Sequence, residues 1–363
     1  MQKQPKDIRV LVCLSGGVDS SVAAALLVEQ GYTVTAAYMK QWSDTTELTG
    51  VCSWKEDRRD AIRVAASLGI PLLTLDFEQE YREFVMEYMF AEYSAGRTPN
   101  PDVMCNKFIK FGAWLTKAKE LGFDYLATGH YADVRLNDET HLYELVQSKD
   151  TEKDQTYFLH QLSQEQLSRT LFPVGTYTKQ EVRQLAEQFH LPTAKRAESM
   201  GICFVGEVPM KDFLQQKISK SPGEIVTTSG VSIGIHEGLS FYTIGQRHGF
   251  SQQGGDTPLF VVGKNQKNNQ LIVGHEDDPL LYTTTISIAD MHWISGQAPQ
   301  FPVSLQVRFR HRQSLQSCSV SVDTNNPNNI FIRCAEPQRA ITPGQFAVVY
   351  NEDLCVGGGI IYA

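Results

Sequence analysis

The sequence predicts an α/β fold, a doubly wound parallel sheet, followed by a small central domain and a C-terminal antiparallel β-barrel. Three observations carry that expectation. Short β-rich runs alternate with helical patterns up to about residue 165, and such alternation builds parallel sheets. A glycine-rich turn, Ser15-Gly16-Gly17-Val18-Asp19-Ser20, separates the first strand from the first helix. From about residue 281, six short β-like runs succeed one another with turn residues between them, which is the pattern of a small barrel.

The first strand is the apolar run Ile8–Leu14, and the helix Ser20–Gln30 ends at Gly31, a favourable residue for closing a helix. Strand Thr33–Met39, helix Trp54–Leu68 and strand Leu72–Asp76 follow, the last two separated by Gly69-Ile70-Pro71. A helix over Tyr81–Ser94, a proline-rich loop and a helix from about Asn106 to Leu121 lead to strand Tyr125–Thr128. Asp133–Leu136 and Leu142–Val146 form a hairpin expected at the far end of this domain. Lys179 to Phe189 is amphipathic and helical, and residues 222–280 are rich in Gly, Ser, Thr and β-branched residues. The domain reading is therefore 1–165 plus about 193–210, about 166–192 plus 211–280, and 281–363.

Composition narrows the functional classes. The 363 residues carry a net charge of -8, so any nucleic acid must be held by local basic patches rather than a global field. No apolar run is long enough to span a membrane, and the polar start from Met1 to Asp7 has no secretory pattern. A cytoplasmic monomer is the expectation. Seven cysteines, at 13, 52, 105, 203, 318, 334 and 355, form no C-x-x-C pair, which argues against a zinc ribbon and for reduced thiols kept for chemistry or packing.

Chemistry concentrates in three places. Adjacent glycines after a strand turn successive N–H groups inward as an anion nest, and the helix behind adds positive potential. Cys13, Leu14, Ser15, Gly16, Gly17, Val18, Asp19 and Ser20 are thus a phosphate site. The loop lacks the Gly-Lys-Ser/Thr ending whose lysine reaches the distal phosphates. The second place is Gly96-Arg97-Thr98-Pro99-Asn100-Pro101-Asp102-Val103-Met104-Cys105-Asn106-Lys107, a stiffened loop launching a helix with Cys105 near its first turn, where a thiolate is stabilised. Asp102 reads equally as a helix cap or an acid/base. The third is Lys195-Arg196-Ala197-Glu198-Ser199-Met200-Gly201-Ile202-Cys203-Phe204-Val205-Gly206, a charged segment followed by an apolar stretch whose thiol meets Cys105 only in the fold.

These blocks resemble the tRNA-specific 2-thiouridylases, a family of PP-loop ATP pyrophosphatases with an adenine nucleotide α-hydrolase-like fold. The resemblance covers essentially the whole chain and includes Ala127-Thr128-Gly129-His130-Tyr131, Lys153-Asp154-Gln155, Tyr242-Thr243-Ile244-Gly245-Gln246-Arg247 and Arg310-His311-Arg312-Gln313. It implies that the 13–20 loop, Met39 and Gly129 bind ATP with Mg²⁺, Asp19 helping to place the metal. It implies that Asn100, Pro101 and Asp102 face the target base, with Asp102 a general acid/base, Cys105 a nucleophile and Cys203 the persulfide carrier. Lys153, Asp154, Gln155, Arg310 and His311 are implied to touch tRNA, and a cysteine desulfurase or sulfur-relay protein to supply persulfide. Two positions depart from the common pattern: Glu198-Ser199-Met200 replaces Asp-Ser-Thr, and His311 stands where an aromatic usually follows the arginine. Arg308, Arg310 and Arg312 alternate, so a strand here sets them on one face. The alternative is another ATP pyrophosphatase acting on a small molecule.

Overall fold

Strand β1 (Arg9–Cys13) is apolar on both faces because the sheet is covered on both sides. The computed structural model describes residues 3–40, 53–197, 209–247, 249, 258–322 and 329–362. In it, β1 pairs in parallel with β2 (Thr33–Met39) on one side and β4 (Tyr125–Ala127) on the other. With β3 (Leu72–Leu75) outside β2 and β7 (Thr170–Leu171) outside β4, the sheet order is β3-β2-β1-β4-β7. The chain leaves β1 in one direction and returns on the other side, so the carboxyl ends of β1 and β4 flank the topological switch point, where α/β sheets bind ligands.

Helix α1 (Val18–Glu29) lies between the sheet and a second helical layer. Its Ala24 and Leu27 pack on Val10, Val12 and Ala36, while Val18, Val22 and Leu26 pack on Val182 and Ala186. Those last two belong to the helix Lys179–Gln188, here called α4 because α2 (Ser53–Leu68) and α3 (Pro101–Met104) precede it. Texture had assigned residues 166–192 to the central domain. Pairing of β7 with β4 and packing of α4 on α1 instead set this stretch against the parallel sheet.

The central sheet has the order β10-β11-β8-β9, from β8 (Gly223–Thr227), β9 (Ser232–His236), β10 (Phe260–Asn265) and β11 (Gln270–Gly274). The C-terminal runs become β12 (Tyr282–Trp293), β13 (Val303–Arg308), β14 (Gln316–Val322), β15 (Ile330–Arg339), β16 (Phe346–Asn351) and β17 (Leu354–Tyr362). They close as a six-stranded antiparallel barrel, since β17 pairs with β12 through Ser287↔Tyr362 and Ile288↔Ile361. Ile286, Ile288, Val320, Ile332 and Val349 fill it.

The hairpin β5 (Ala132–Leu136) and β6 (Tyr143–Gln147) is where expected in sequence but not in space. It extends the barrel, with β6 pairing to β17 through Leu354↔Val146 and Cys355↔Leu145. Alternation reports that a hairpin forms, not which sheet edge it joins. Here the edge is more than 200 residues downstream in the chain.

Candidate functional site

The phosphate loop is built by backbone constraints. Gly16 sits at φ +80°, and a Cβ there would lie 2.5 Å from the Asp57 carbonyl oxygen and 2.9 Å from Arg196 Nη1. Across the switch point, a Cβ on Gly129 would lie 2.5 Å from the Ser20 amide nitrogen. Both glycines are therefore required for close backbone approach, not merely for flexibility. The helix starts two residues before the expected Ser20: Gly17 is the cap of α1. Ser20 Oγ and Ser21 Oγ donate back to the Gly17 carbonyl, at 3.1 and 2.7 Å, instead of capping. Ser15 Oγ accepts from the Gly17 amide at 3.3 Å. Cys13 and Met39 are buried at the ends of β1 and β2, and burial raises the Cys13 thiol pKa well above 9.0, keeping it neutral.

Two basic residues grip this loop, Arg196 from the charged start of the Cys203 segment and Lys179 from no motif at all. Arg196 Nη1 donates to the Gly16 carbonyl at 2.8 Å and to Asp60 Oδ2 at 2.9 Å, and its Nη2 pairs with Asp57. Lys179, the first residue of α4, spans both oxygens of Asp19 at 2.7 and 2.9 Å. Tyr131 Oη donates to Asp19 Oδ1 at 3.0 Å. Asp19, expected to help place a metal, has its carboxylate engaged by an ammonium and a phenol in this structure. Among the described residues no group of three or more His, Cys, Asp or Glu side chains could hold a metal ion.

Asn100 caps α3, its Oδ1 accepting from the Val103 amide at 3.3 Å, and Pro101 takes the first helical position, where its missing N–H costs nothing. The helix continues with π-type winding over Cys105–Ala113 and α-helical winding over Trp114–Glu120. Cys105 is fully buried, in one apolar cluster with Cys13, Met39, Val103 and Ile109. The thiol expected near a first helical turn is thus enclosed by apolar side chains in this state. One turn on, Lys110 donates to His130 Nε2 at 3.3 Å, and Thr128 Oγ1 lies 2.7 Å from His130 Nδ1. Burial, then the Lys110 charge, hold the His130 pKa well below 6.5. Its ring is a neutral strut joining the Cys105 helix to the switch point. Asp102 is half-buried in the first turn of α3. Cys203 and Gly201 lie outside the described residues.

Residues 8–207 match the tRNA methyl transferase HUP domain, residues 211–275 the tRNA methyl transferase PRC-barrel domain, and residues 283–361 the aminomethyltransferase β-barrel domain. A tRNA-specific 2-thiouridylase MnmA of Staphylococcus epidermidis is 49% identical over 360 residues, covering 98% of this chain and 95% of that relative. Another, from Streptococcus agalactiae, is 50% identical over 362 residues, with 98% and 95% covered. The chain belongs to the tRNA-specific 2-thiouridylase family.

The positions that the family resemblance implied for RNA contact divide sharply. Asp154 is buried, accepting from Gln147 Nε2 at 3.1 Å, Thr156 Oγ1 at 2.7 Å and Arg308 Nη1 at 3.2 Å. It is a core carboxylate rather than a surface contact. Gln155 Oε1 accepts from the Tyr131 amide at 2.9 Å, and Lys153 is half-buried beside it. The arginine row is also corrected, because β13 ends at Arg308 and the chain then turns. Arg308 points inward under Tyr350, Arg310 donates to the Arg339 carbonyl at 2.9 Å, and Arg312 is exposed at φ +64°. His311 packs on Phe158 with ring centroids 4.6 Å apart, and burial pushes its pKa down to about 4. It is a neutral ring held at a 41° tilt against Phe158.

Side chains of the central and barrel domains both reach the loop before α3. Gln345 Nε2 donates to the Thr98 and Pro99 carbonyls, both at 2.9 Å, and Asn100 Nδ2 donates to Gln345 Oε1 at 3.3 Å. From the central sheet, Gln266 Nε2 donates to the Ala95 carbonyl at 2.6 Å and Lys264 Nζ to the Gly96 carbonyl at 2.8 Å. These carbonyls end the helix Glu87–Ser94, so an ammonium there complements its negative pole. Burial drops the Lys264 pKa from 10.5 to about 8. The unfolded chain therefore holds the proton more tightly than the native one between these values, and stability from this group rises as pH climbs from about 8 towards 10.5. Urea unfolding of wild type and Lys264→Met at pH 7.5 and 9.5 should show wild type gaining on the variant at the higher pH. An unchanged difference would refute the shift.

Proposed function

We propose that this protein is an ATP-dependent tRNA-uridine 2-sulfurtransferase that converts the wobble uridine of its tRNAs to 2-thiouridine. The observation that carries this reading is the strut from the Cys105 helix to the switch point, Lys110 to His130 to Thr128, beside a loop whose glycines admit no side chain. A nucleotide site and a thiol on one scaffold suit activation followed by sulfur transfer. The names of the relatives, tRNA-specific 2-thiouridylases, supply the substrate.

The 14–17 loop and the N-terminus of α1 cradle the phosphates of ATP, while Met39 and Gly129 bound the adenosine side. ATP supplies an adenylyl group to the uridine C2 oxygen, with pyrophosphate leaving, which turns that oxygen into a leaving group. Asn100, Pro101 and Asp102 present the flipped base, and Asp102 moves the proton. A base in a single-stranded loop is cheap to unstack. Cys203, loaded as a persulfide by a desulfurase-derived donor, delivers its outer sulfur to C2 and AMP departs. That sulfur is still bonded to Cys203, so Cys105 attacks the Cys203 sulfur of the C2–S–S–Cys203 linkage and 2-thiouridine leaves as the thiolate. The Cys105–Cys203 disulfide formed is reopened by a dithiol reductant. Alternatively, Cys105 attacks the persulfide first, forming the same disulfide and releasing hydrosulfide, which then attacks C2. The grip of Arg196 on Gly16 supports returning the segment of about 193–210 to the catalytic domain.

The test is tRNA dependence of pyrophosphate release. A transcript with U at the wobble position should trigger release, and the same transcript with C there should not. Release driven by a small molecule without RNA would favour the synthetase alternative, which the full-length relatives do not favour.

A further inference from the structure

We infer that Lys179 is a phosphate-binding residue of the nucleotide site, and that Asp19 serves to hold its ammonium there. The inference rests on the proposed ATP-dependent reading and deepens it. The phosphate loop carries no lysine of its own, although a positive point charge on the distal phosphates is what such loops ordinarily supply. Lys179 brings one from a helix 160 residues further along the chain.

Its position is not explained by the helix it begins. A cation at the first residue of a helix opposes the helix dipole. The amides at the start of α4 are already served by carboxylates, the Lys179 amide by Asp150 Oδ2 at 2.8 Å and the Thr178 amide by Glu181 Oε2 at 2.6 Å. The Lys179 side chain crosses instead to Asp19, in the first turn of α1, one residue before the Ser20 amide that Gly129 abuts. Nor does Asp19 need a lysine for its own stability, because a carboxylate in a first turn is already favoured by the dipole. The ion pair is largely withdrawn from water, with side-chain exposures of 13% for Lys179 and 32% for Asp19. Its ammonium lies over the Tyr131 ring, 5.7 Å from the centroid. Carboxylate, phenol and ring thus fix a cation beside the anion nest before the anion arrives. Binding needs only that the ammonium exchange one Asp19 oxygen for a phosphate oxygen, a small movement that breaks no covalent bond.

The experiment measures ATP, AMP and adenosine binding to the full chain by calorimetry, without tRNA and in EDTA so that a metal does not mask the lysine. Lys179→Met should weaken ATP about 10- to 100-fold, the loss of one charge-assisted hydrogen bond, and leave adenosine within twofold. Lys179→Arg should recover most of the ATP affinity. If Lys179→Met misfolds, Asp19→Asn combined with Lys179→Met removes both charges together, and the same selective loss is expected. Equal losses for ATP and adenosine would mean a purely structural pair, and unchanged ATP affinity would equally overturn the inference. Failure of the wild-type protein to bind ATP at all would instead overturn the ATP-dependent reading.

Discussion

Cys203→Ser is expected to abolish 2-thiouridine formation with the physiological persulfide donor while leaving tRNA adenylation near the wild-type rate. The two half-reactions draw on different groups. In the proposed mechanism adenylation uses the 14–17 loop, Gly129 and Asn100-Pro101-Asp102, none of which depends on the Cys203 thiol. Sulfur transfer needs a thiolate that can hold sulfane sulfur and then leave, which a hydroxyl cannot do. The assay follows labelled AMP entering tRNA and 2-thiouridine in the same sample. Asp19→Ala reverses the pattern: it releases the Lys179 ammonium from the loop, so adenylation itself should fail and thiolation with it. Normal thiolation by Cys203→Ser would show that another group carries the sulfur. Normal adenylation by Asp19→Ala would remove the phosphate loop from the mechanism.

The glycine turn after β1 was legible because its features are local. Two glycines between a buried strand and a helix dictate a turn, whatever the rest of the chain does. The helix start was misjudged for an equally local reason: serine hydroxyls have two uses near a helix terminus. Ser20 and Ser21 turn back to the Gly17 carbonyl rather than capping. The barrel was legible from strand spacing alone, since six runs separated by turns have few ways to bury one face each. Its hairpin extension was not, because β6 meets β17 by edge pairing that leaves no mark in either strand.

Side chains whose partners lie far along the chain were the least legible. Lys179 read only as the start of an amphipathic helix and Arg196 as part of the charged lead-in to Cys203, and nothing in either stretch pointed to their partners Asp19 and Gly16, 160 and 180 residues away. The clasp on the 95–99 backbone draws Lys264 and Gln266 from one sheet and Gln345 from another. It gives the central domain a physical role, fixing the loop that precedes Cys105. The arginine row failed for a related reason. Alternation places residues on one face only while the strand lasts, and β13 stops at Arg308.

Asp154→Ala is expected to destabilise the protein by about 3–5 kcal/mol, the cost of leaving a buried partner charge uncompensated. Arg308 is that partner: its side chain is 6% exposed and that of Asp154 is 0% exposed, with Nη1 to Oδ2 at 3.2 Å. The guanidinium stacks on Tyr350, 4.8 Å from the centroid, while its Nε has no other acceptor among the described residues. Asp154 also accepts from Gln147, the Ser148 amide and Thr156, so it ties the β6 hairpin and the helix Thr156–Leu159 to barrel strand β13. At roughly 2–4 °C per kcal/mol for a unit of this size, the melting temperature should fall by about 6–20 °C. The double variant Asp154→Ala with Arg308→Met should recover part of that loss, because no buried charge is then left unpaired. Asp154→Asn keeps the shape and some hydrogen bonds, so it should cost less and leave tRNA affinity of the folded protein unchanged. A variant of normal stability with weakened tRNA binding would return Asp154 to the RNA interface. A loss confined to stability would establish it as the bolt between hairpin and barrel.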